Sequence, residues 1–181
     1  MKSPSVILDL LCQSILFLTV CGLIGWCYET ILTSILWGHF CGFFARGLLH
    51  VPVCPIYGFF AMLLLRIFRL PFLKRQTGWK RCFWAFILGS SINTILELGC
   101  SYLLEWILGD FLWSYSGWLL NFQERISLPS SLLFGILTLL LIVAVAPAFQ
   151  KLIQRLSRRM ICILGCSCAL VLGADLAVTL L

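Results

Sequence analysis

Two glutamates and two arginines carry the chemistry that this sequence offers, because they interrupt or flank strongly apolar segments. Glu29 and Glu97 lie deep inside long apolar runs, where a carboxylate costs about 2–3 kcal/mol unless it is paired, protonated or hydrated. Arg46 and Arg125 lie in the loops that follow those two runs. A carboxylate that faces a guanidinium can fix the packing of two helices or form part of a site for a charged solute. These four residues are therefore the first candidates for a functional site.

Further polar residues extend this pattern along two of the apolar runs. On the first run, Gly22 and Gly25 share a helix face with Glu29, and small residues let a neighbouring helix approach closely. On the third run, polar residues recur at every fourth position, which places them on one slowly turning helix face. They are Asn93, Glu97, Ser101 and Glu105. Such a face is predicted to line a cavity or another helix.

The elements that position these residues are predicted to be membrane-spanning helices. The 181-residue chain is 61% hydrophobic and 11% charged, with a mean hydropathy of +1.05, whereas about a quarter of an average soluble chain is charged. Apolar runs of about 20 residues cross the hydrocarbon core. The sequence thus predicts an all-α, polytopic membrane helical bundle forming one transmembrane domain over residues 1–181. Its five spans are predicted at about 7–37, 55–68, 82–108, 130–149 and 161–180.

The distribution of basic residues predicts the orientation of this bundle. In a five-span arrangement, eleven of the thirteen lysines and arginines fall on one side, and Arg46 and Arg125 fall on the other. Basic residues concentrate on the cytoplasmic side, so we predict a bacterial cytoplasmic membrane protein with its N-terminus inside and its C-terminus outside. The net charge of +6 is then a topological asymmetry rather than a nucleic-acid interface. Most acidic residues share the outer half with Arg46 and Arg125, which predicts an outward-facing polar cavity.

An internal repeat is indicated around the two loops that carry the arginines. Pro52, Tyr57 and Gly58 follow Arg46 in the pattern P-x4-aromatic-G, which recurs after Arg125. The chain would then contain two parallel helix-pair repeats and one added helix. Pro55 suits the first turn of the second helix, because its missing N–H would be unpaired there anyway. This helix is short, so its N-terminal end is expected either to dip below the membrane interface or to tilt little.

Cysteines and histidines do not form a recognised metal-site pattern. Most of the ten cysteines lie within the spans, where they act as small hydrophobes. Cys41 and Cys54 share an outer loop, so a disulfide between them stays open. Ligation of a metal by His50 with Cys54 follows no recognised spacing. We therefore assign no metal, no cofactor and no catalytic residue. The aromatic loop from Phe111 to Phe122 is either an interfacial belt or a lid over the polar layer.

Several motifs resemble those of a family of small bacterial membrane proteins, the ABC-transporter type IV, or CmpB, family. In the first half they are G-W-x2-E ending at Glu29, R-G at Arg46 and P-x-C-P-I-Y-G, which includes Pro52, Cys54, Pro55 and Tyr57. In the second half they are the acids Glu97 and Glu105, W-x-Y-S with Trp113 and Tyr115, then Asn121 and R-I at Arg125. The resemblance covers roughly residues 15 to 145. The chain has Val51 and Glu124 where the family pattern has glycines.

The resemblance implies a role in transport, and the sequence limits what that role can be. No G-x4-G-K-[ST] motif occurs in the chain, so it has no P-loop for ATP. Its short basic inner loops also do not favour docking of a separate ATPase, and a homo-oligomer or another membrane subunit is the expected partner besides the lipid bilayer. We expect a permease-like component with a site for a small polar or ionic solute. The alternatives are an intramembrane enzyme acting on a lipid or lipid-linked substrate and a membrane scaffold with purely structural ion pairs.

Overall fold

The computed structural model describes residues 4–37, 49–110 and 113–180. Within these ranges the chain is helical, and its β pairing is limited to an isolated bridge between Phe122 and Ile126. The helices are α1 (Pro4–Trp37), α2 (Pro55–Ile67), α3 (Pro71–Lys74), α4 (Gly78–Leu108), α5 (Leu128–Leu140), α6 (Ala146–Arg155) and α7 (Arg158–Leu180). The prediction of an all-α helical membrane bundle is confirmed.

Four helical stretches of the described chain are long and apolar enough to cross a membrane. They are Ser5–Leu32, Gly78–Ile107, Leu128–Arg155 and Arg158–Thr179. Helix α2 is apolar but has only 13 residues. At ~1.5 Å per residue it measures about 20 Å, less than the ~30 Å hydrocarbon core. The five predicted spans thus correspond to four span-length helical stretches and one short helix, and their membrane bounds stay a prediction.

Helices α5 and α6 are joined into one continuous rod by a π-helical stretch, Leu141–Val145. The rod begins at a reciprocal cap, in which the Ser127 side chain accepts from the Ser130 amide and the Ser130 side chain accepts from the Ser127 amide. Further along, Pro147 has no N–H to donate to the carbonyl of Val143, and its ring would clash with that carbonyl in a regular α-helix. The wider π turn just before the proline relieves this clash.

The chain divides into two compact units, residues 1–62 with 149–181 and residues 63–148. In the first unit, α1 and α7 pack together and run in the same direction. Arg158 at the start of α7 donates from Nε to Asp9 Oδ1 at 2.9 Å. Further along both helices, Gly165 lies against the backbone and Cβ of Cys12. A side chain at Gly165 would meet that backbone, so the glycine permits the close approach.

Near its C-terminal end, α7 also holds the irregular stretch that precedes α2. Asp175 Oδ2 accepts a hydrogen bond from the Val51 amide at 2.9 Å. Asp175 Oδ1 lies 2.9 Å from His50 Nδ1, and the hydroxyl of Thr179 lies 3.4 Å from the same ring nitrogen. One carboxylate thereby fixes two consecutive residues of the loop.

Helix α2 begins beside the middle of α1 and runs antiparallel to it. The Cys54 amide donates to the carbonyl of Gly22 at 3.0 Å, and Gly22 lies in the middle of the 34-residue α1. From there, the Tyr57 ring lies against Gly25 and Leu18 lies against Gly58. The glycine face predicted on α1 is therefore the face that α2 packs against. The start of α2 lies at this depth because three glycines leave room for its backbone and its tyrosine.

In the second unit, α4 and α5 form another antiparallel pair. Gly89 lies against Thr138, and Gly135 lies against the ring of Phe86 and the hydroxyl of Ser90. The apolar core of this unit includes residues from the helix pair and from the segment before it. Its buried members are Phe68, Leu73, Ala85 and Ile142.

The two antiparallel pairs pack at matching positions. Gly58 lies against Leu18 in the first pair, and Gly135 lies against Phe86 in the second. Leu18 and Phe86 each stand eleven residues before the buried or half-buried glutamate of their helix, Glu29 or Glu97, and each glycine stands six residues after a proline, Pro52 or Pro129. This shared register supports the helix-pair repeat. An axis relating the two copies stays a prediction.

Candidate polar site

The polar residues predicted on one face of α4 lie on its buried face. Asn93, Glu97 and Ser101 expose 5%, 6% and 0% of their surface, and Glu105 is half-buried. On another face of the same helix, Ile95 is 69% exposed. In a helix apolar enough to cross a membrane, the apolar face can meet lipid while the polar face meets protein. The four-residue spacing therefore predicted the correct face.

Arg125 joins the C-terminal part of this polar stripe. Its Nη1 donates to Ser101 Oγ at 2.8 Å, and its Nη2 donates to Glu105 Oε2 at 2.6 Å. The guanidinium carbon lies 4.3 Å from the centroid of the Tyr102 ring, a contact worth about 1–2 kcal/mol when it is desolvated. The arginine is only 7% exposed. One cation is thus held from three positions on the last turns of α4.

The ion pair of Arg125 with Glu105 is only partly shielded from solvent. The Arg125 side chain is 9% exposed, whereas that of Glu105 is 44% exposed. A carboxylate that keeps part of its hydration contributes less than a fully buried partner would. Glu105 is a different partner from those that the sequence offered as examples, Glu29 and Glu97. The Arg125 end of the pair therefore lies in the protein interior, and the Glu105 end lies at the protein surface.

The α4–α5 loop, residues 113–127, folds back on itself and delivers a phenol to Glu97. The Tyr115 amide donates to the carbonyl of Glu124 at 2.7 Å, and Trp113 Nε1 donates to the carbonyl of Arg125 at 3.0 Å. These bonds fix the loop so that the Tyr115 hydroxyl donates to Glu97 Oε1 at 2.7 Å. The resulting cluster, which we call the α4 site, consists of Glu97, Ser101, Glu105, Tyr115 and Arg125.

Left-handed backbone in the same loop aims Arg125 at α4. Gln123 and Glu124 have φ angles of 51° and 59°, which cost a residue with a side chain roughly 1–2 kcal/mol. Asn121 supports the turn, because its Oδ1 accepts from the Glu124 amide at 3.3 Å and its Nδ2 donates to the Trp118 carbonyl at 3.0 Å. Glycine would adopt this φ without strain, whereas Glu124 forms the same turn at the cost of that strain.

The aromatic loop combines features of both interpretations made from the sequence. Trp113, Tyr115 and Trp118 are half-buried, and the rings of Tyr115 and Trp118 meet edge to face at 5.1 Å. Through Tyr115 the loop covers the α4 site as a lid would. Its tip resembles an interfacial belt, because Leu119 and Leu120 are 66% and 73% exposed.

Towards the N-terminus of α4, the polar stripe continues from the α4 site to a pair of buried oxygens. Asn93 Nδ2 donates to Thr138 Oγ1 at 3.3 Å, and Thr94 Oγ1 donates to Ser131 Oγ at 2.7 Å. Asn93 Oδ1 and Ser90 Oγ are buried and have no hydrogen-bond partner among the residues that the structure describes. Buried polar atoms are normally satisfied by protein, water or a ligand. These two oxygens are therefore the atoms of the stripe that a bound polar group would satisfy.

The first compact unit contains a second carboxylate–phenol pair. The Tyr57 hydroxyl donates to Glu29 Oε1, and its ring meets Tyr28 edge to face at 6.0 Å. The Tyr57 ring reaches Glu29 across Gly25, which has no side chain to block it. Cys54, next to Pro55 at the start of α2, is half-buried.

Some candidates from the sequence lie apart from these clusters. Arg46 and Cys41 fall outside the described residues, and so does the Cys41–Cys54 disulfide considered from sequence. Pro52 is exposed in the stretch before α2. The Glu29 pair belongs to the first unit and the α4 site to the second.

Sequence reasoning did not assign partners to Tyr102, Thr138 or Asp175. Tyr102 directly follows Ser101 on a helix, so four-residue spacing did not include it. Thr138 is a hydroxyl residue in a strongly apolar helix, and this contrast could have identified it as a buried hydrogen-bonding residue. Asp175 is the one acidic residue in α7, and its contact with His50 spans 125 positions of sequence. No local pattern reports a contact over that separation.

Comparison with known proteins finds one family model over most of the chain. Residues 15–180 match the family described as Putative ABC-transporter type IV. No curated protein and no solved structure matches the chain. The matched range contains every residue of the α4 site and of the Glu29–Tyr57 pair.

Proposed function

Because this chain belongs to the Putative ABC-transporter type IV family, we propose that it is a permease-like membrane component that binds a small polar or ionic solute at the α4 site. The family and the span-length helices establish the coarser statement, a transporter-like membrane protein. The solute site and its role in transport are the proposal.

The observation that carries the proposal is the buried polar stripe on α4. Glu97 is 6% exposed in a helical stretch apolar enough to cross a membrane, and ionisable residues in such positions usually mark substrate or ion paths. Asn93 Oδ1 and Ser90 Oγ, which lie next to the α4 site on the same helix, add two buried oxygens that lack partners within the described chain. A polar solute or a hydrated ion would satisfy them. A purely structural cluster would gain nothing from leaving them unsatisfied.

The proposal also needs a source of energy from outside this chain. The sequence has no P-loop, so ATP hydrolysis would come from a separate ATPase subunit, as the family description suggests. A second copy of the chain or another membrane subunit would complete the translocation path. We propose the bacterial cytoplasmic membrane as the location, with the N-terminus inside and the C-terminus outside. The parallel direction of α1 and α7 agrees with termini on opposite sides.

A binding screen tests the solute site without assuming the solute. The thermal unfolding of the purified protein in detergent would be followed by tryptophan fluorescence, with a panel of inorganic ions, amino acids and small polar metabolites. A solute at 100 times its Kd stabilises the folded state by about 2.7 kcal/mol. We expect Glu97→Gln and Asn93→Leu to abolish this stabilisation. Ile95→Ala, which alters an exposed position on another face of α4, is the matched control and should retain it.

The solute that emerges is then used for flux measurements in proteoliposomes, with the same three variants and a candidate ATPase where one is identified. Flux that disappears in Glu97→Gln and persists in Ile95→Ala would support transport through the α4 site. Stabilisation that survives both polar-site substitutions would move the binding site elsewhere. Lower stability of both variants, with no response of the wild-type protein to any solute, would favour the scaffold.

A further inference from the structure

A second surface of the molecule combines positive charge with exposed apolar side chains. The segment from Arg66 to Arg81 contains no acidic residue. Leu70, Phe72 and Trp79 in this segment are 54%, 58% and 73% exposed. Its exposed basic side chains, none in an ion pair within the described chain, are Arg66, Arg69, Lys74, Arg75, Lys80 and Arg81. This basic segment has the composition of a surface that meets anionic headgroups.

A groove opens at the end of the basic segment, against the π-helical turn. It is lined by Arg81, Cys82 and Ala85 on one side and by Ile142 and Val143 on the other. Ala85 and Ile142 are 0% and 7% exposed, whereas Val143 is 64% exposed, so the groove has a closed apolar floor and an open rim. The space in it that water-sized groups can occupy is about 140 Å³, roughly ten times the ~10–15 Å³ that is needed to hold one water molecule.

The geometry points to a binding site for one anionic phospholipid in this groove. Arg81 would hold the phosphate, because a guanidinium forms two parallel charge-assisted hydrogen bonds with a phosphate. The start of an acyl chain would lie along Ala85, Ile142 and Val143. Ile142 and Val143 belong to the π turn, and a wider turn displaces its side chains from regular α-helical positions.

Charge complementarity selects the occupant. A zwitterionic lipid would offer the same phosphate but would bring its own cation towards six basic side chains. A free phosphate ion would use Arg81 but would leave the apolar floor uncovered. Trp79 fits the same picture, because tryptophan is enriched at the headgroup level of membranes. An anionic lipid is thus the ligand that uses both the charge of the segment and the shape of the groove.

Lipid titration of the purified protein tests the site. The probes are dioctanoyl phosphatidylglycerol, dioctanoyl phosphatidylcholine and inorganic phosphate, added to the protein in a nonionic detergent. Native mass spectrometry counts the bound lipids, and thermal unfolding gives the apparent Kd. We expect one tight phosphatidylglycerol site and at least tenfold weaker binding of phosphatidylcholine. Arg81→Gln should weaken phosphatidylglycerol binding about tenfold, and Val143→Trp, which fills the groove from its exposed rim, should do the same.

Arg75→Gln is the matched control, because it removes one exposed charge from the same segment without lining the groove. It should change the apparent Kd less than threefold. Equal effects of Arg81→Gln and Arg75→Gln would show diffuse attraction to the whole segment and overturn the site. Equal binding of the two lipids would overturn it as well. Binding of inorganic phosphate as tight as that of the lipid, unaffected by Val143→Trp, would leave an anion site and refute the lipid.

Discussion

Replacing Gly58 by alanine tests the packing of α2 against α1 most directly. An added Cβ would lie 2.5 Å from the Leu18 carbonyl oxygen, 2.7 Å from its Cγ and 2.9 Å from its Cα. Real Cβ atoms essentially never lie within 3.0 Å of a heavy atom outside their own and the adjoining residues. Two of these three atoms belong to the backbone, so a rotamer change cannot remove the clash. The helices themselves must separate.

The size of the effect follows from two opposing terms. Overpacking of a tight contact costs about 1–3 kcal/mol, and a backbone clash belongs at the upper end. Alanine regains up to about 1 kcal/mol because it is a better helix former than glycine. We therefore expect Gly58→Ala to lower the free energy of unfolding by about 2 kcal/mol. At Gly135 the close atoms are the Phe86 ring and the Ser90 hydroxyl, which can rotate, so the loss there should be about 0–1 kcal/mol.

Gly99→Ala supplies the control, because no atom lies within 4 Å of the added methyl group. It should raise the free energy of unfolding by about 0.5–1 kcal/mol. The three variants would be unfolded at equilibrium in mixed micelles of a nonionic detergent and dodecyl sulfate, with helicity followed by circular dichroism. The reasoning would be refuted if Gly58→Ala were as stable as Gly99→Ala, because α2 could not then pack against Leu18.

Three further predictions concern the loops. Arg125→Leu should lower the free energy of unfolding by about 2–3 kcal/mol in the same assay, less than the ~3–5 kcal/mol of a fully buried pair because Glu105 is partly solvated; a loss below 0.5 kcal/mol would contradict the structural role of the ion pair. Glu124→Gly should be about 1 kcal/mol more stable than Glu124→Ala, since both lose the hydrogen bond from Ser114 and only alanine retains the left-handed strain; equal stability would exclude strain at this residue. Because its side chain is half-buried, the Cys54 thiol should react with N-ethylmaleimide at neutral pH at least about tenfold more slowly in the folded protein than in the unfolded one. Peptide mapping by mass spectrometry measures this rate, and equal labelling of the folded and unfolded protein would contradict the burial of Cys54.

Regular spacing explains which parts of the site were predictable. The stripe on α4 was predictable because four-residue intervals define a helix face without reference to any other element. The glycines at 22 and 25 predicted a close helix contact for the same reason. Glu105 as the partner of Arg125 was not predictable, because it depends on φ angles at Gln123 and Glu124 that these residue types rarely adopt.

Helix bounds were less predictable than helix faces. Helix α4 begins at Gly78, before the predicted span at 82, and the α5–α6 rod continues to Arg155, beyond the predicted 149. Hydrophobicity reports where a helix can meet lipid, whereas backbone hydrogen bonding continues through Lys80 and Lys151 into the polar interface. The apolar runs therefore predict helices that are too short at their basic ends.

The shared direction of α1 and α7 limits how the chain can be threaded through a bilayer. Two neighbouring segments that traverse it the same way must be separated by an odd number of intervening passes. If α4 and the α5–α6 rod each make one pass, parity requires a third pass, and among the described residues α2 is the apolar helix that is left to make it. A 13-residue helix must then complete a traverse that it is too short to make alone, so backbone outside α2 or a locally thinned bilayer must supply about 10 Å of the hydrocarbon thickness.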